Sequence, residues 1–225
     1  MSGKAGPDMA PLSLAVVRDW LAANASDIER QKLLRYGIPN DRAIGVAMGQ
    51  MLAYTRKRPK DAALAAALWA DGGYEMRTLA LLLDDPATLT LPRMDAMVAD
   101  FDNWAICDTA CFRLFDKVLE AWQAVPRWVA SERLYTRRAG FALVWGLSVH
   151  DKQAGDQLFL DALALAETCA HDARAHISKA ISMAVRATGK RNSALRSAAL
   201  DWADRLGPRG KAEARLARDV RRALG

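Results

Sequence analysis

The chain has 225 residues, long enough for one large or two small domains with a real core, and is 52% hydrophobic and 26% charged. Those fractions exclude a disordered chain, and no run approaches the roughly 18 consecutive apolar residues of a membrane span. The net charge of +6 is uneven: from Arg186 to Gly225 eleven basic residues face four acidic ones, so the whole surplus is C-terminal. Such a segment suits a polyanion, nucleic acid first and an anionic membrane surface second, or else a solvated helical face.

The opening MSGKAGPDMAPL has no apolar run followed by a small-residue cleavage site, and three cysteines do not make a disulfide framework. Both features point to a reducing, cytoplasmic setting.

Apolar residues then recur three and four apart, the helical period. The pattern covers Leu12 to Leu21, Ala43 to Tyr54, Ala62 to Ala70, Tyr74 to Leu83 and Met94 to Ala99. It continues through Trp104 to Trp122, Leu134 to Val149, Gln157 to Cys169, Ile177 to Val185 and Ala194 to Leu206. Breaks fall at Tyr36-Gly37-Ile38-Pro39, Arg58-Pro59 and Asp71-Gly72-Gly73, where turn residues cluster. Only Ala87 to Leu91, ATLTL, alternates like a strand. The fold class is therefore all-α.

Several helices look like copies. YEMRTLALLL, YTRRAGFALV, HISKAISMAV and SALRSAALDW share a polar or basic start and an Ala/Leu face, which fits degenerate helix pairs stacked as an α-solenoid with a concave inner face. No low-complexity linker interrupts the chain, so residues 1–225 read as one helical-repeat domain, with 1–10 flexible and 205–225 a basic C-terminal segment. Docking of that segment requires Leu206, Leu216, Val220 and Leu224 to find neighbours.

Within DFDNWAICDTACFRLFDK, Asp100 to Lys117, Trp104 and Asp108 lie four apart and hence on one helical face. Surrounded by small apolar residues, they fit either a core aromatic with a capping carboxylate or a placed catalytic carboxylate beside an aromatic platform. Asp102 is on a different face, which argues against a paired-carboxylate glycosidase. Cys107 and Cys111 share a helical spacing that could hold a metal, but the chain has three histidines and His171 and His176 are five apart, a poor shared face, so buried small side chains describe the cysteines better. There is no phosphate-binding glycine loop and no dinucleotide fingerprint, and no cofactor or metal is expected.

Separated motifs together resemble the DNA alkylation repair family, the AlkD-like glycosylases. They are Tyr36-Gly37-Ile38-Pro39, the Trp69 region with Tyr74-Glu75-Met76-Arg77, Asn103-Trp104 with Asp108, Pro126 to Ser131 leading to Arg138-Ala139, and Ile177 to Ile181. The resemblance spans roughly Arg35 to Lys190 in the same motif order. It implies HEAT-like repeats whose concave basic face holds duplex DNA, and excision of cationic alkylated purines, 3-methyladenine and 7-methylguanine among them; a monomer is expected.

On that resemblance Asp108 stabilises the sugar cation and orients water, and Trp104 lies against the sugar. Arg138 contacts a phosphate near the lesion, and Met183 stands where the family's glycosylases carry a second tryptophan; Lys179, within a matching motif, and Arg186 either line the DNA face or are solvated. Glu75 and Arg77 read as packing and surface pairing. Relatives lacking parts of the site imply a second reading, DNA binding without excision, and helical repeats also serve as protein-binding scaffolds.

Overall fold

In the computed structural model, residues 12–39 and 41–225 are described and form helices, turns and loops without a strand. The flexibility expected of residues 1–10 falls outside these described residues. The chain divides into two compact units, Met1–Thr88 and Leu89–Gly225.

The first unit contains α1 (Leu14–Ala23), α2 (Asp27–Arg35), α3 (Met48–Thr55), α4 (Ala62–Asp71) and α5 (Tyr74–Leu83). Ser13 and Asp61 accept amide hydrogen bonds at the starts of α1 and α4, relieving donors that have no helical partner. At the end of α4, Gly72 and Gly73 take φ of 79° and 82°, the left-handed region that favours glycine. Val17, Leu21, Met51, Leu68, Leu79 and Leu83 form the core. Helix α2 buries none of its residues, which is why apolar periodicity does not find it. Glu75 is also buried, and its carboxylate accepts the amides of Ile44, Gly45 and Val46. That contact ties the loop before α3 to α5, a structural task for a residue expected to serve packing.

The second unit contains α6 (Leu91–Ala99), α7 (Trp104–Arg113), α8 (Ala121–Val129), α9 (Leu134–His150), α10 (Asp156–Thr168), α11 (Ala175–Gly189), α12 (Ser193–Leu206) and α13 (Lys211–Leu224). Helices α7, α9, α11 and α13 pack in succession as one layer, and α8, α10 and α12 form the other. This is the stacked-pair architecture expected of the sequence. The strand-like ATLTL instead turns into α6: Leu89 is buried, Thr90 precedes the helix in extended conformation without a side-chain capping bond, and proline occupies the first turn.

The periodic stretch Trp104 to Trp122 is not one helix. Helix α7 ends at Arg113, with Leu114 as its non-helical C-cap, and a single 3-10 turn, Phe115–Lys117, redirects the chain. The turn places Phe115 against Phe101 and Trp128, with ring centroids 6.4 and 5.8 Å apart. Apolar residues continue across the break because both sides of it are buried. The C-terminal segment is a docked helix, with Leu216, Val220 and Leu224 at most 3% exposed.

Candidate nucleic-acid interface

The site begins with the start of α7. Asn103 Oδ1 accepts the amide of Ile106 at 2.9 Å and caps the helix. The capping role open to Asp108 therefore belongs to Asn103, and Asp108 lies one turn after Trp104 with its carboxylate committed elsewhere.

Helix α9 meets that carboxylate because it runs close to α7. Gly146 makes the approach possible: a Cβ there would lie 2.8 Å from the carbonyl oxygen of Cys111. The thiols of Cys107 and Cys111 are buried and donate to the carbonyls of Tyr135 and Ala139 across the same seam, at 3.6 and 3.4 Å. The two cysteines thus serve the helix contact.

Arg138 spans the seam. Its Nε donates to Asp108 Oδ1 at 2.8 Å and its Nη2 to Oδ2 at 2.6 Å, while Nη1 donates to the carbonyl of His176 at 2.6 Å. The arginine side chain is 1% exposed and the aspartate 15%. One guanidinium therefore links α7, α9 and α11 and fixes the carboxylate bidentately, while the carboxylate keeps an open edge. Burial raises the Asp108 pKa, and the bonds from Arg138 oppose that rise. The neighbouring His176 is pushed down, by burial first and by the Arg138 charge second, which favours a neutral ring.

Arg138 is expected at a phosphate near the lesion; in the structure its side chain is buried and its donors serve Asp108 and the carbonyl of His176. Its neighbour Arg137 is likewise internal, bound to Asp172, Glu132 and the carbonyl of Val129.

Helix α11 adds the cationic side. Lys179 is exposed, with its Nζ 5.6 Å from the centre of the Trp104 ring. Ser178, Lys179, Met183, Arg186, Lys211 and Arg215 belong to a cleft of about 710 Å³ between α11 and α13. A second cleft, of about 440 Å³, includes Trp145, Lys152, Met183, Arg186 and Lys190. Met183 and Arg186 line both. Arg186 Nε is shielded from solvent and meets no acceptor among the described residues, a deficit that typically costs about 1–3 kcal/mol.

Asp108, Trp104 and Lys179 thus come together with Arg138 behind them, and Met183 with Arg186 lies further along α11. Sequence reasoning missed Trp145, Lys152, Lys190, Lys211 and Arg215 as lining residues. A usable signal existed for Trp145, which follows Arg138 by seven residues and so returns to the same helical face. The clefts of α13 had no such signal, because its docking depends on long-range packing.

A two-layer helical stack, with a clamped carboxylate, an aromatic ring and a row of cations on one layer, defines the class: a helical-repeat protein with one cationic layer. The profile of a family described as DNA alkylation repair enzyme matches residues 17–220. The chain belongs to the DNA alkylation repair enzyme family. No curated protein matches it.

Among solved structures, one described as "a new family of proteins related to the HEAT-like repeat DNA glycosylases with affinity for branched DNA structures" is 19% identical with a TM-score of 0.80. That match covers 95% of this chain and 97% of the other, and it shows the HEAT-like fold. A designed armadillo repeat protein matches at 12% identity over 97% of each chain, with a TM-score of 0.38 that is too low to argue from.

Proposed function

We propose that the second unit binds alkylated duplex DNA along its cationic layer and excises 3-methyladenine and 7-methylguanine by hydrolysing the N-glycosidic bond. The observation that carries this reading is Asp108, immobilised by a buried arginine yet open at one edge beside Trp104.

The chemistry follows from charge. In an alkylated purine the ring carries a positive charge, so when the bond from C1′ to the base nitrogen breaks, its electron pair neutralises the base and the sugar becomes the cation. A fixed carboxylate lowers the energy of that cation without reorganising, because Arg138 has already ordered it. Water then adds to C1′, and its proton passes to Asp108, whose basicity burial increases. Trp104 covers one side of the sugar, and Lys179 offers a charge to a flanking phosphate.

A second reading, binding without excision, is favoured by Met183, which puts a nondirectional thioether where the family's glycosylases carry a ring. The affinity for branched DNA described for the structural relative belongs with this reading. Release of both bases from methylated duplex under single-turnover conditions separates the two. Under excision, Asp108→Asn slows release about a hundredfold, roughly 2.7 kcal/mol, while a folded protein still binds duplex. Binding by the wild type with no release of either base rules excision out.

A further inference from the structure

The cleft of about 440 Å³ at the far end of α9 is not accounted for by the excision site. Its volume falls in the range of small-ligand sites, about 300–1,000 Å³. Along α9 from Phe141 to Ser148 every residue is buried except Trp145. An indole that keeps exposed surface in the middle of a buried run is poorly explained by packing alone.

Phe112 of α7 braces that indole, with ring centroids 4.1 Å apart and planes at 24°. Phe112 lies four residues beyond Asp108, so Trp104, Asp108 and Phe112 form one row along α7. The indole is thus backed on one side by a ring and borders the cleft with Met183. Lys152, Arg186 and Lys190 surround the same space, and none of the three forms an ion pair among the described residues. Arg191 is different: it is occupied by the carbonyls of Ser148, Asp151 and Ala154 and by the Phe159 ring. The cleft combines an available π face with uncommitted cations, the combination by which proteins hold single-stranded nucleic acid, and Met183 adds a soft apolar wall.

We propose that this cleft is a site for an unpaired nucleotide, with the base stacked on Trp145 and its flanking phosphates held by Lys152, Arg186 and Lys190. The inference rests on the reading of this layer as a DNA-binding face. It adds a preference for DNA whose bases are out of the duplex, and the ring that contacts the nucleotide comes from α9 where α11 offers methionine.

The test compares a plain duplex with the same duplex carrying an unpaired flap that contains 2-aminopurine. Wild type binds the flap DNA more tightly, and stacking quenches the 2-aminopurine. Trp145→Ala loses roughly tenfold in flap affinity and the quenching, a larger loss than it suffers for plain duplex; Trp145→Phe retains most of both. Equal affinity of the wild type for the two DNAs, or flap binding without quenching, overturns the inference and leaves the duplex reading standing. These wild-type measurements decide the matter even if Trp145→Ala fails to fold. Failure of the wild type to bind either DNA overturns both readings.

Discussion

Arg138 and Asp108 form a bidentate pair across the seam between α7 and α9, at 2.8 and 2.6 Å, with the arginine fully enclosed and the aspartate at the edge. The arginine's third bond, to the carbonyl of His176, makes it a rivet through three helices. Replacing Arg138 with Ala is expected to cost about 3 kcal/mol and to lower Tm by about 10 °C, measured by thermal unfolding. Arg138→Lys recovers the charge but not the planar fork, so it restores only part of the stability and leaves excision impaired. Loss of duplex affinity with unchanged Tm in Arg138→Ala would return this residue to the role of a phosphate contact.

Helix spacing at the seam depends on Gly146. A methyl group there, 2.8 Å from the Cys111 carbonyl and 3.1 Å from the Asp116 Cβ, has no flexible partner to displace. Gly146→Ala should destabilise by about 1–3 kcal/mol and slow base release, because the α9 shift withdraws Arg138 from Asp108. Unfolding in denaturant and single-turnover release measure the two effects.

The docked tail gives an independent prediction. Gly189 lies under Leu224, and a Cβ there would press on the Leu224 side chain and stand 3.1 Å from the Ala199 Cβ. Gly189→Val is expected to loosen α13, read as faster amide exchange over 211–224. Affinity for duplex should fall with it, because Lys211 and Arg215 leave the cleft they share with Lys179.

Acid should act on two aspartates with opposite sign. Asp172 accepts from Arg174 and Arg137, and these bonds hold its carboxyl far below the usual aspartate value of 3.8. The folded state resists protonation more than the unfolded chain, so this pair contributes stability above about pH 4 that is lost as pH falls further. Burial raises Asp108, so its ionised form opposes folding at neutral pH and protonation relieves that cost. Asp172→Asn should therefore flatten the acid limb of the stability profile below pH 4, and Asp108→Asn should leave that limb in place. Unfolding measured from neutral pH downward checks both.

Electrostatic binding should follow salt. A duplex contact neutralising about five phosphates gives a slope of about −4.5 for log affinity against log salt, and Lys179→Ala should reduce it by about one. A flat response would indicate an apolar protein partner.

Much of the architecture was legible from periodicity. Tyr74 to Leu83 is the span of α5, and the apolar stripes of α4, α9 and α12 mark those helices to within a residue or two. Where the stripe was absent, as in α2, or continued through a buried turn, as at Leu114 and Phe115, periodicity failed because it reports burial and not backbone path. Spacing alone put Trp104 and Asp108 on one face, and motif order named their family. Only tertiary structure decided what Arg138 touches, which residue caps α7, and that Trp145 and the α13 cations share clefts with α11. Those outcomes depend on which helices meet across tens of residues, and a charged side chain has the same sequence signal whether it ends in water or against a buried partner.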